Sequence, residues 1–177
     1  MKEKKNKLRF LVQSALFASL LSLLCPWVIP IGTVGITLAT MLLLTLALSQ
    51  KPVVALTVTA VYLAIGALGL PVFSHFTGGF SAFLSPSGGF LIGYLPFVAI
   101  PTLTKGRIQR LWVRISSVVA GHLVLYMLGA AFFAAVCQVS LREAFILSVL
   151  PFLLPDAIKA TLAVYAARLL ERRKALL

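Results

Sequence analysis

Two oppositely charged residues stand close together within an otherwise apolar stretch near the end of the chain. Asp156 and Lys159 are three positions apart, so on an α-helix their side chains share one face. The carboxylate accepts hydrogen bonds from N–H groups, and the ammonium donates to carbonyl or carboxylate oxygens. The spacing therefore indicates either a site for a small polar ligand or an ion pair with a purely structural role. We favour the ligand site, because a buried ion pair seldom adds much stability for its desolvation cost.

The composition predicts that the helix carrying this pair lies in a membrane. The 177 residues are 60% hydrophobic and 11% charged, with a mean hydropathy of +1.05. A soluble domain carries about 25% charged residues, so this chain cannot cover itself with polar surface in the same way. A charged side chain inside a bilayer costs about 2.5–3.5 kcal/mol and normally faces a cavity or a partner. We expect one membrane domain over residues 1–177.

We expect an all-α integral membrane protein with six transmembrane helices, because the chain is long enough for about six spans of roughly 20 residues. The expected spans are residues 8–28, 33–49, 52–70, 88–104, 111–139, and a last one from Pro151 or Pro155 to about residue 170. Fourteen of the 16 basic residues then lie on the side of the N-terminus, namely Lys2, Lys4, Lys5, Lys7, Arg9, Lys51, Lys105, Arg107, Arg110, Arg114, Arg168, Arg172, Arg173 and Lys174. Short cytoplasmic loops are enriched in Lys and Arg, so both termini are expected to be cytoplasmic. The same rule explains the net charge of +12 and argues against nucleic-acid binding.

The segment between the third and fourth spans, residues 71–87, has an unusual composition for an outer loop. It contains no Lys, Arg, Asp or Glu, and it is rich in Gly, Ser, Pro and Phe. Two interpretations stay open: the loop folds back over the helices and covers a site, or its Phe side chains rest at the lipid headgroups. His75 lies in this loop, where it either donates to a ligand or forms interfacial hydrogen bonds. The other histidine, His122 in the fifth span, is expected to bond a neighbouring helix.

Missing motifs exclude several chemistries. Asp156 is the one acidic residue within an expected span, which argues against catalysis by paired carboxylates. The sequence has no G-x-x-x-x-G-K-[ST] phosphate loop, so ATP hydrolysis by that route is excluded. Cys25 and Cys137 do not form a zinc-binding pattern, and we expect helix packing for both, with a disulfide as the alternative. No catalytic residue, metal or cofactor is expected.

Several motifs, taken in order along nearly the whole chain, resemble the BioY family of biotin transporters. They are residues 28–37 (VIPIGTVGIT), 62–73 (YLAIGALGLPVF), Gly78–Gly79, 86–94 (PSGGFLIGY) and 150–159 (LPFLLPDAIK). The last of these matches the family's signature around an intact Asp-x-x-Lys pair. Gly35, Ser85 and Ser87 depart from the residues usual in the family, which affects the first loop and the outer loop.

The resemblance implies an S-component of an energy-coupling factor (ECF) transporter in a bacterial cell membrane. Such a protein binds its vitamin, here biotin, from outside and works with a transmembrane coupling protein and two cytoplasmic ATPases. The implied ligand contacts are Asp156, Lys159, Phe73, His75, Phe90 and Tyr94. The implied contacts to the coupling protein are the small residues Ala15, Ala18 and Ser19 of the first span. Biotin would be a transported ligand rather than a cofactor.

Other functions are compatible with parts of the sequence. An S-component for a different vitamin, or a biotin facilitator that works without ATPases, would share the same membrane fold. A small membrane enzyme acting on lipid would need several converging ionisable groups, and the expected spans offer only Asp156, Lys159 and His122. A membrane scaffold without a ligand would leave the intramembrane pair unexplained.

Overall fold

The computed structural model of the protein describes residues 2–30, 34–104 and 111–175. The helices are α1 (Lys2–Leu24), α2 (Ala39–Ser49), α3 (Pro52–Ala67), α4 (Ser81–Leu84), α5 (Gly88–Thr104), α6 (Leu111–Cys137), α7 (Leu141–Ser148) and α8 (Leu153–Ala175). Two short strands, β1 (Val28–Ile29) and β2 (Ile36–Thr37), lie between α1 and α2. Turns of 3₁₀-helix cover Ser74–Phe76 and Leu150–Phe152. The mostly helical fold that the sequence predicts is confirmed for these residues.

The connection between the first two helices differs from the prediction. Helix α1 ends at Leu24 rather than at residue 28, because Pro26 follows and proline cannot continue a helix. The chain then forms an antiparallel ribbon in which Val28 pairs with Thr37. Helix α2 begins at Ala39, and the predicted start at Thr33 lies outside the described residues, as do Lys105, Arg107 and Arg110.

The middle helices follow the predicted spans closely. Helix α3 has Pro52 in its first turn, where the missing N–H of proline costs nothing, and it ends before Gly69. Gly69 has a φ of 105°, a left-handed conformation that favours glycine and commonly ends helices. Helix α5 has the predicted bounds, and α6 ends two residues earlier than predicted.

The last span is preceded by helix α7, which the sequence did not predict. Helix α7 begins with a capping box in which the Ser140 hydroxyl accepts from the Glu143 N–H and the Glu143 carboxylate accepts from the Ser140 N–H. A 3₁₀ turn containing Pro151 then leads into α8, which begins between the two predicted starts and continues to Ala175.

Two helical runs are long and apolar enough to cross a membrane, judged by length and composition. They are Trp112–Cys137, with 26 residues, and Leu141–Glu171, with 31 residues, which includes α7 and most of α8. The remaining apolar helices among the described residues, in α1, α2, α3 and α5, have 10–17 residues. Each predicted span thus coincides with a helix, and six crossings of the bilayer stay a prediction.

Helix α2 lies at the centre of the packing. It contacts α1, α3, α5 and α8, and most of its side chains are buried. Helix α5 packs along α6, and α3 packs against both α1 and α5. This arrangement brings the beginning of α2 next to the beginning of α8, where Asp156 lies.

Candidate ligand-binding site

Asp156 is the centre of a buried hydrogen-bond network that joins three helices. Its Oδ1 accepts from Lys159 Nζ at 2.7 Å and from Thr40 Oγ1 at 3.0 Å, and its Oδ2 accepts from Tyr126 Oη at 2.8 Å. Lys159 Nζ also donates to Thr40 Oγ1 at 3.2 Å. The Asp156 residue is 4% exposed and the Lys159 side chain 11% exposed, so water contributes little to the solvation of either charge. The predicted charged pair is therefore formed and shielded from bulk solvent.

Local sequence features place the three partners of this carboxylate. Asp156 lies in the first turn of α8, where the positive end of the helix dipole favours a negative charge. Lys159 follows one turn later on the same face, as its spacing predicts. Thr40 lies in the first turn of α2, directly after strand β2, and Tyr126 lies in the middle of α6.

A cavity opens beside the network. The empty space between its lining atoms is about 620 Å³, and this figure includes open solvent at the mouth. Its lining combines the charged pair with apolar and aromatic side chains and a few hydroxyls. The lining residues are Val34, Gly35, Thr37, Thr40, Phe73, Ser74, Thr77, Ala82, Ser87, Phe90, Leu91, Tyr94, Leu125, Tyr126, Phe152, Asp156 and Lys159. An apolar wall with a few converging polar groups suits a small amphipathic ligand.

The outer loop, residues 71–87, supplies one wall of this cavity. Phe73 is 2% exposed, and its ring packs edge-on against Tyr62 and against Phe83 of α4. The ring also lies on Gly66, where an added Cβ would stand only 2.1 Å from Phe73 Cζ. In contrast, Phe76 and Phe80 in the same loop are exposed. The loop therefore covers the cavity on one side, as the first interpretation predicts, whereas contact of its exposed rings with lipid headgroups stays a prediction.

Of the four cavity contacts expected beyond the charged pair, three line the cavity and one does not. Phe73, Phe90 and Tyr94 are in the wall, whereas His75 is exposed and does not line it. His75 has a φ of 58°, a left-handed conformation that is uncommon for residues other than glycine, and its N–H donates to the Pro26 carbonyl. This backbone conformation turns the imidazole toward Gly35, and the neighbouring Ser74 lies in the cavity wall instead.

The model of the BioY family matches residues 1–175 of the chain. The chain belongs to the BioY family. Among its relatives, a probable biotin transporter BioY of Pyrococcus horikoshii is 35% identical over 157 residues, covering 89% of this chain and 93% of the relative. The biotin transporter BioY of Thermotoga maritima is 30% identical, with 93% and 97% covered. A solved S-component for biotin from an ECF-type ABC transporter superposes with a TM-score of 0.83 and 26% identity, covering 97% of this chain and 93% of that one.

BioY family membership confirms the resemblance found in the motifs and the prediction that the chain is a transporter component rather than an enzyme. The family match over residues 1–175 includes the first span and the Asp-x-x-Lys signature. The match to a solved S-component supports the helical architecture over nearly the whole chain.

Two members of the network were not found from the BioY motifs or from residue spacing. Thr40 and Tyr126 are separated from Asp156 by 116 and 30 positions, so no local pattern links them to it. The available signal was weak: both are polar residues in strongly apolar helices, and such residues usually face a partner.

The small residues of α1 do not share one environment. Ala15 and Ser19 are exposed on the same side of the helix, one turn apart, whereas Ala18 is partly buried and packs against the core. Contact with a coupling protein stays a prediction for all three, and the exposed face favours Ala15 and Ser19.

Two other sequence expectations concern residues outside the cavity. The sequence predicted a hydrogen bond from His122 to a neighbouring helix. This prediction is wrong, since His122 Nδ1 pairs with the Val118 carbonyl of its own helix at 2.9 Å. Its ring does contact α5, where it packs edge-on against Phe97. Cys25 and Cys137 are both free, and Cys25 is a core residue at the end of α1, as the packing interpretation predicts.

Proposed function

We propose that the chain is the biotin-binding S-component of an ECF-type transporter. It captures biotin from outside the cell in the cavity beside Asp156 and delivers it inward together with an energising module. The observation that carries this proposal is the buried Asp156–Lys159–Thr40–Tyr126 network at the wall of a mostly apolar cavity. The names of the relatives support biotin as the ligand.

The chemistry of the cavity complements biotin. The ureido ring carries two N–H donors and a carbonyl acceptor, which match the Asp156 carboxylate and the Lys159 ammonium. We assign this end of biotin to the charged pair, because the valerate carboxylate would be repelled by Asp156 at the same place. The valerate would then lie nearer the mouth, with the fused rings against Phe73, Phe90 and Tyr94.

The proposal extends to membrane placement and partners. The chain forms one multi-pass unit of the cell membrane with six crossings and both termini in the cytoplasm, which the charge distribution supports. The shorter helices cross where the bilayer is locally thinner. A coupling protein docks on the exposed Ala15 and Ser19 face of α1, and two ATPases supply the energy that this chain has no phosphate loop to provide.

Calorimetric titration of the purified full chain in lipid nanodiscs tests the ligand assignment. We expect saturable binding of one biotin per chain and no comparable binding of a panel of other vitamins. Two analogues test the orientation: 2-iminobiotin alters the ureido group and should bind far more weakly, whereas biotin methyl ester should keep most of the affinity. Absence of biotin binding, or tighter binding of another vitamin, would overturn the proposal.

A further inference from the structure

Asp156 lies between two hollows of different character. One is the cavity described above. The other is an apolar groove between α6 and α8, lined mostly by aliphatic side chains such as Val119, Leu123 and Met127. Tyr126 and Asp156 are the two residues that line both hollows among the described residues. The carboxylate is therefore placed at a boundary, where its direction depends on the groups that hold it.

Two polar links join α6 to α8 beside this groove. The Arg114 guanidinium donates to both carboxylate oxygens of Glu171 at 2.9 and 3.0 Å near the end of α8. Tyr126 lies twelve residues beyond Arg114 on α6, about 18 Å along the helix, and its hydroxyl donates to Asp156. In the part of the chain that the structure describes, Tyr126 is the residue of α6 whose side chain is hydrogen-bonded to the carboxylate.

The two oxygens of Asp156 are held in different ways. Oδ1 accepts hydrogen bonds from Lys159 and Thr40, whereas Oδ2 accepts a hydrogen bond from the Tyr126 hydroxyl. Rotation of the carboxylate away from the cavity would break that bond and move Oδ2 toward a mostly apolar groove, which costs free energy unless the lost hydrogen bond is replaced. Among the described residues, the other polar side chain that lines the groove is His122, and its Nδ1 already pairs with a backbone carbonyl of its own helix. Phenylalanine at position 126 would keep the ring in the wall and remove only this restraint.

We propose that Tyr126 is a positioning residue for ligand binding: its hydroxyl fixes the Asp156 carboxylate toward the cavity and away from the groove between α6 and α8. This inference rests on the proposed function, because it assigns Asp156 as the ligand-binding carboxylate. It adds a residue on α6 to a site whose charged pair lies wholly on α8.

The substitution Tyr126→Phe tests the proposal, with Tyr165→Phe as the matched control. Tyr165 is also a membrane-depth tyrosine, but it is exposed on α8 and does not line the cavity. Loss of one hydrogen bond to a charged group is expected to weaken biotin binding about tenfold in Y126F, and the Y165F variant should bind like the wild type.

A spectroscopic measurement separates positioning from packing. Asp156 is the only aspartate in the sequence, so cell-free synthesis with carboxyl-¹³C aspartate gives one side-chain carboxyl resonance. We expect that resonance to shift in ligand-free Y126F and to stay unchanged in Y165F. An unchanged resonance in Y126F, or biotin affinity within twofold of the wild type, would overturn the inference. If the resonance shifts in Y126F but the wild-type chain binds no biotin, the proposed function is overturned. The conclusion that the Tyr126 hydroxyl positions the Asp156 carboxylate would still be supported.

Discussion

Replacement of the charged pair by a neutral one separates a ligand-binding role from a structural role. The single substitution Asp156→Asn leaves the Lys159 ammonium, which is 11% exposed, without its counter-charge. Breaking a buried pair in this way costs about 3–5 kcal/mol of stability. The double variant Asp156→Asn/Lys159→Met has no unpaired charge, so the part of this cost that comes from an uncompensated buried ammonium is absent. The double variant is therefore expected to unfold at or above the temperature of the single variant.

Even if the double variant is as stable as the wild type, we expect it to bind biotin much more weakly. Two charge-assisted contacts to the ligand would be lost, at about 1.5–3 kcal/mol each. At about 1.4 kcal/mol per factor of ten, the dissociation constant should rise by roughly 100-fold or more.

Thermal unfolding and biotin calorimetry on the same nanodisc samples measure both effects. The control is Arg114→Gln/Glu171→Gln, which removes the ion pair between α6 and α8, whose side chains are 24% and 31% exposed. That pair lies outside the cavity, so biotin binding should stay at the wild-type level. A D156N/K159M variant that binds biotin within threefold of the wild type would refute the ligand role of the pair.

Three further variants test the wall, the network and the docking face. Gly66→Ala forces the Phe73 ring to move, since the added Cβ would stand 2.1 Å from Phe73 Cζ. Calorimetry should show that this variant binds biotin about tenfold more weakly than the wild type. The control is Ala64→Val on the exposed side of α3. Thr40→Val removes the hydroxyl shared by Asp156 and Lys159 and should weaken biotin binding by roughly threefold to tenfold. The control Thr161→Val, on the exposed side of α8, should bind biotin like the wild type. Equal biotin affinities of the Thr40→Val variant and the wild type would exclude Thr40 from the site. Ala15→Trp on the exposed face of α1 should leave biotin binding unchanged and abolish biotin uptake in cells that contain the energising module. The control Leu162→Trp, on the exposed side of α8, should permit uptake. Normal uptake by A15W would exclude this face of α1 as the docking surface.

The sequence predicted the charged pair because both residues lie on one helix. Their spacing of three positions is a local property, and helix geometry alone places them together. Thr40 reaches the same carboxylate from 116 positions away, and Tyr126 from 30, so their contact depends on how α2 and α6 pack against α8. Residue spacing within one segment contains no information on such packing.

The differences in the fold have local causes that were only partly visible in the sequence. Pro26 explains why α1 ends at Leu24 and not at the predicted residue 28, whereas the pairing of β1 with β2 depends on a partner strand eight residues further on. The capping box at Ser140 and Glu143 is a helix-start signature, and it begins α7 ahead of the proline-marked span. The position of His75 depends on a left-handed backbone that its residue type does not predict.

A crystal structure of the chain with bound biotin tests the proposed site most directly. Biotin is expected in the cavity under Phe73, with ureido nitrogen atoms within hydrogen-bond distance of the Asp156 carboxylate and the ureido oxygen near Lys159 Nζ. Biotin bound elsewhere, or biotin in the cavity with the Asp156–Lys159 pair engaged only with itself, would contradict the assignment.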